Sequence, residues 1–189
     1  MTYKSIKAAI KRHCRAGRLF PLEMTDPSHR IVRALFLSGE VKTLMDGPWK
    51  SADGATRSAR LQADFEVFVR GEPVAMCLVP RKHGNATFGR LAEPEEEIWD
   101  FRSRQPLPVL RIFGRFAAPD TFIGFHWRPR IKPWNGRSGL GAYDSIDWKQ
   151  AKDECKNQWE LLFPDHTPIH GDDIHDYVTD ENAYGIVSE

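Results

Sequence analysis

Long apolar runs are missing from this chain. No stretch approaches the roughly 20 consecutive apolar residues that a membrane-spanning helix requires. The opening "MTYKSIKAAIKRHC" has lysines where a secretory signal would be apolar. Cysteine is scarce as well: Cys14, Cys77 and Cys155 are odd in number and widely separated. That argues against a disulfide framework and for a reducing compartment. Internal repeats and low-complexity tracts are absent, and neither a GxxxxGK[ST] phosphate loop nor an HExxH metal motif occurs. What is there is an ordinary globular composition, 41% hydrophobic and 28% charged over 189 residues, enough to bury a core without metals or disulfides. The expectation is a cytoplasmic protein with no membrane association.

A net charge of +1 conceals an uneven distribution. Residues 1–60 hold 12 Lys and Arg against 5 Asp and Glu, and residues 102–137 hold 8 against 1. Residues 144–189 reverse the balance, with 3 against 12. Basic segments beside an acidic tail imply an anionic partner, the tail itself lying on the basic surface, or two separately solvated faces.

Residues 3–16 place Ile6, Ala9 and Ile10 at helical spacing, and Gly17 is a natural stop. "PSHRIVRALFLSG" (27–39) reads as a second helix and "DGPWKSADGATRSA" (46–59) as a loop. "RLQADFEVFVRG" (60–71), with Leu61, Phe65 and Phe68 in step, reads as a third helix, and "EPVAMCLVP" (72–80) as a strand. Beyond that the period changes to two. Residues 97–102, 109–116 and 121–128 are short strands, joined by "SRQPLP" and "AAPD" into an antiparallel meander. A Gly-rich loop (132–145), which includes "GRSGLG", precedes the plainest helix, 145–163, where Ile146, Ala151, Cys155, Trp159 and Leu162 face one way.

A four-residue loop at "AAPD" pairs Phe116 with Thr121, Gly114 with Ile123, Ile112 with Phe125 and Leu110 with Trp127, a nearly all-apolar core face. The alternate positions pair Arg115 with Phe122, Phe113 with Gly124, Arg111 with His126 and Val109 with Arg128. A slip of one residue would swap the faces and bury arginine at high cost. The outward face then gathers Arg102, Arg111, Arg115, His126 and Arg128, with Asp100 beside them and Phe113 exposed among them. Guanidinium forks bind phosphate and exposed rings stack on bases, so such a face suits RNA. Arg115, Arg130, Lys132 and Phe113 are the candidate nucleic-acid contacts. His126, Arg111, Arg102 and Arg128 are the candidate catalytic set: the imidazole accepts a 2′-hydroxyl proton and the arginines stabilise the phosphorane. The alternative is that the arginines are ion-paired to Asp100, to acidic helices or to the acidic tail, with His126 a packing residue.

The segments "IWDFR", "LRIFG", "FIGFHWRPR" and "DWKQAKDEC", in that order between residue 90 and about 162, resemble the RelE/ParE/HigB superfamily of toxin–antitoxin toxins. Members carry a tryptophan-bearing strand ending in arginine, a second strand with an arginine near its start, a third ending in an aromatic and basic pair, and then a helix. On that resemblance Arg102 and Arg111 take the places of the first two arginines, and Arg128 and Arg130 that of the basic pair. It implies a metal-independent endoribonuclease cutting mRNA on the ribosome, or a protein-directed poison of the gyrase-targeting branch. It also implies a cognate antitoxin or other acidic protein partner. Asp100 stands where glutamate is usual, arginines replace lysines, and residues 1–60 lie outside the resemblance.

The fold class expected is α+β, an antiparallel three- to four-stranded meander packed on helices: a RelE-like core (60–163) with an N-terminal helical extension (1–45) and an acidic C-terminal arm (164–189). The function expected is a RelE/HigB-like toxin homologue acting on RNA or the ribosome. The alternative is a non-catalytic module docking nucleic acid or an acidic protein through the same face. His166, His170 and His175, among aspartates, follow no metal-ligand spacing, so neither metal nor cofactor is expected. The acidic arm reads as solvated, or as an anionic mimic covering the basic face. The N-terminal helix, with Lys4, Lys7, Lys11, Arg12 and Arg15, reads as solvated, as a partner-docking arm or as a phosphate contact.

Overall fold

Short aromatic and β-branched runs form the strands of this chain, and the computed structural model joins them in one mixed sheet flanked by helices. The structure describes residues 5–49, 51–80, 84–130, 140 and 145–185. The elements run α1 (Ile6–Arg15), β1 (Leu19–Pro21), β2 (Ala34–Ser38), α2 (Gly39–Asp46), α3 (Ala52–Val69), β3 (Val74–Cys77), β4 (Phe88–Arg90), β5 (Trp99–Ser103), β6 (Leu110–Ala118), β7 (Thr121–Pro129), α4 (Ile146–Leu162) and β8 (Ala183–Gly185). Among the described residues the sheet has eight strands in the order β1-β2-β7-β6-β5-β4-β3-β8. Pairings β2–β7, β3–β4 and β3–β8 are parallel and the others antiparallel.

Both faces of this sheet are buried. Ile112, Phe116 and Phe122 pack with Val41 of α2 and with Leu61, Phe65 and Phe68 of α3. Their sequence neighbours Phe113, Ala117 and Ile123 point the other way, into a second cluster with Ala9 and Ile10 of α1 and with Trp148, Ala151, Cys155 and Trp159 of α4. Successive side chains on a strand alternate between faces, so a strand apolar at both needs helices on both.

The expected fold class is therefore corrected. The meander β5–β6–β7 is present, but it forms the middle of an eight-stranded mixed sheet and is not a free antiparallel sheet of three or four strands. Helices cover two faces and not one. The N-terminal helical extension is corrected too, because β1 and β2 enter the sheet. "ALFLS" is a strand: Leu35 and Leu37 are buried while Ala34 and Phe36 are half-buried, and Ala34–Leu37 pair with Thr121–Gly124. The expected loop at 46–59 is shortened by α3, which begins at Ala52 with the Ser51 side chain accepting from the Gly54 N–H.

The acidic arm is corrected by its packing. Tyr177 and Val178 are fully buried, β8 pairs with β3, and Asp180 grips Arg33 through two hydrogen bonds of 2.6 and 2.8 Å. Among the described residues, no ion pair joins its carboxylates to the arginines of the meander.

Candidate anion-binding site

The β6–β7 connection positions the arginines. Strand pairing runs to Ala118 and resumes at Thr121, which leaves Pro119 and Asp120 as the link, with Asp120 at φ 58. Two irregularities, between Phe113 and Gly114 and between Phe116 and Ala118, shift the ladder. In consequence Arg111 lies opposite Arg128, and His126 lies opposite Phe113. The expected pairing of Arg111 with His126 is corrected. Gly114 is required at the first irregularity, because a Cβ there would sit 2.1 Å from the Ile123 carbonyl oxygen.

Arg102, Arg111 and Arg128 form one row across β5, β6 and β7. Asp100, Phe113 and His126 form the next row on the same face. The side chains gathered by sequence reasoning thus share a face, but that face lies beneath α4 and α1 and is largely closed to water, with Arg128 and Arg111 only partly exposed at its edge. Phe113 and His126 are fully buried and stack at 4.9 Å with planes 10° apart. Arg115 is 6% exposed, and its guanidinium carbon lies 5.7 Å from the Trp159 ring centre. Ring stacking on bases is not available to Phe113.

Buried carboxylates answer the row. Asp100, with no exposed surface, accepts from Arg102 Nε at 3.1 Å and Nη2 at 2.8 Å, and from Arg111 Nη1. Arg128 pairs with Glu154 of α4 and, at 3.3 Å, with Glu40 of α2. This is the ion-paired alternative.

His126 is placed where proton abstraction from a substrate does not reach. Its Nε2 donates to the Ala151 carbonyl at 2.9 Å in the neutral tautomer, and its Nδ1 finds no hydrogen bond. Burial, with the nearby Arg128 adding to it, holds its pKa down at about 3. A neutral, enclosed imidazole satisfied by a helix carbonyl is a packing element.

The open part of the arginine cluster is its edge, where β5 ends, β6 begins and β7 ends. Arg104, just past β5 and half-buried, donates Nη2 to the Gly84 and Ala86 carbonyls at 3.3 and 2.8 Å, and forms no ion pair among the described residues. Arg130 continues from β7, with its backbone N–H on Val109 O at 2.7 Å. The guanidinium carbons of Arg111 and Arg130 lie 5.0 and 5.7 Å from the Trp148 ring centre. Burial and then Arg102 lower the Arg104 pKa. Burial also lowers that of Arg111; Asp100 opposes it, and Arg102 and Arg130 add to it. These are cations within mutual reach.

Lys132 lies outside the described residues. Sequence reasoning missed Arg104, Trp148 and the anchoring role of Asp100. An arginine in the short "SRQPLP" connection was the available signal for the first. Of the histidines near the C-terminus, His170 meets the buried Glu97 carboxylate at 2.7 Å, and His175 Nδ1 lies 3.2 Å from the Val178 carbonyl oxygen. No group of three or more His, Cys, Asp and Glu among the described residues is arranged to hold a metal ion.

In comparisons with known proteins, no family model, no curated protein and no solved structure matches the chain. No helix among the described residues is long and apolar enough to cross a membrane.

Proposed function

We propose that the protein is a non-catalytic RNA-docking module that grips the phosphate backbone at the edge of its sheet with Arg104, Arg111 and Arg130, the buried Arg102 lying behind them. The observation supporting this is a run of neighbouring cations, Arg102 within charge reach of both Arg104 and Arg111 and the latter sharing the Trp148 ring with Arg130, with Arg104 held by carbonyl oxygens and free of any ion pair among the described residues. Arg102 and Arg111 are fixed by Asp100, so their positive charge is oriented before any ligand arrives. Preorganised guanidinium groups lose little freedom on meeting phosphate. RNA is the polyanion that the RelE/HigB resemblance names, and phosphate contact needs no exposed aromatic ring.

The nuclease reading keeps one feature, the order β5, β6, β7, α4 over the segments that carry the resemblance. It requires a proton acceptor other than His126. A salt titration with a single-stranded RNA tests the docking reading, since phosphate contacts make affinity fall steeply as salt rises. Arg104→Ala is expected to weaken binding and to lower the salt slope by about one. Salt-independent binding, or an unchanged slope in the variant, rejects the site. Cleavage of mRNA by the intact protein with ribosomes present rejects the non-catalytic part.

A further inference from the structure

A second set of cations lies at the other end of the sheet. Lys7, Lys11 and Arg15 recur every four residues along α1, all exposed, and none forms an ion pair among the described residues. At 1.5 Å of rise per residue they make a ridge of positive charge about 12 Å long. Beside the ridge, α1 and the sheet enclose a groove of about 490 Å³ floored by Ile10, Cys14, Ala34, Phe36 and Thr121. Thr121 opens β7 whereas Arg130 follows its far end, so the groove and the arginine-lined edge are separate surfaces. Apart from Thr121, the groove is built from the N-terminal part of the chain, outside the range that carries the family resemblance.

We propose that this groove docks an amphipathic helix of another protein, its apolar side chains on the floor and its carboxylates spaced one turn apart along Lys7, Lys11 and Arg15. Charge complementarity selects that occupant. A fatty acid has one carboxylate and cannot answer three cations spread over about 12 Å. RNA answers the ridge but leaves the apolar floor uncovered. A bilayer surface is too flat to enter a concavity between a helix and a sheet. An acidic helix satisfies both parts, because residues four apart share one face and the neighbouring positions carry the apolar stripe.

The test uses the full chain and a fluorescent synthetic helix with leucines on one face and three glutamates at four-residue intervals. Saturable binding is expected, weakened roughly tenfold or more by the surface double variant Lys7→Glu/Lys11→Glu. A charge-swapped peptide bearing lysines is expected to bind that variant better than it binds the parent. Bound peptide is expected to shield Cys14 from a maleimide, a clean footprint because Cys77 and Cys155 are buried. No saturable binding up to about 1 mM overturns the proposal, as does equal binding of both peptides by the parent. Tighter occupation by dodecanoate, by phosphatidylglycerol vesicles or by RNA, read from the same Cys14 footprint, also overturns it. Arg104→Ala leaves peptide affinity unchanged, so the two surfaces fail or hold separately.

Discussion

Asp100 is one carboxylate holding a buried arginine and a half-buried one, and that arithmetic sets the cost of losing it. Asp100→Asn leaves Arg102 and Arg111 without their shared counter-charge, and a loss of about 3–5 kcal/mol is expected by urea unfolding. Adding Arg111→Met to that variant is expected to recover part of the loss, because the second unpaired charge goes with it. His126 gives a pH signature. Its imidazole titrates at about 3 in the native protein and near 6.5 in the unfolded chain, so between those values the unfolded chain binds the extra proton. The corresponding stability is fully present above pH 6.5 and is lost as the pH falls towards about 3, by at most about 1.4 kcal/mol per pH unit. His13, also lowered chiefly by burial, adds in the same direction. His126→Phe keeps a ring against Phe113 and removes one titrating group, so its urea-unfolding free energy is expected to fall less steeply between pH 6.5 and 4.

Elements show why the meander was legible and its register was not. Short aromatic and β-branched runs bounded by turn residues announce β5, β6 and β7 in the sequence. A bulge sets the consecutive residues Phe125 and His126 on one face, and a run that is apolar at both alternate positions does not show where such a step falls, so the shift between Phe113 and Gly114 leaves no local trace. Gly114→Ala forces a methyl group against the Ile123 carbonyl, and a loss of at least about 1–3 kcal/mol is expected in thermal unfolding. β2 misleads in another way. Ile31 and Leu35 have helical spacing, but Ile31 is exposed, and the strand is secured by Phe122 and Ile123 across a parallel ladder. Helix α4 is plain from its stripe of Ala151, Cys155, Trp159 and Leu162. A stripe shows that a face is buried and not what it is buried against, which is why the arginine face reads as open in the sequence.

At the scale of the molecule the C-terminal residues are structural. Tyr177 packs on Trp99 and Phe116 with ring centres 4.7 and 5.4 Å away, and its hydroxyl donates to Glu97 Oε2 at 2.7 Å. Truncation after Phe163 is expected to abolish the cooperative thermal transition, whereas a detachable arm would leave it in place. Acidic composition alone cannot separate those cases, because Tyr177, Val178 and Ala183 are a small buried minority among charged neighbours. The parallel pairing of β2 with β7 joins Ala34 to Thr121, residues 87 positions apart by subtraction of their numbers. A ribosome adding about 5–20 residues each second needs roughly 4–17 seconds to deliver the second partner after the first. Throughout that interval the nascent β2 has β1 on one side and no strand on the other, and a chaperone that shelters the open side would govern how much of each synthesis ends as native protein.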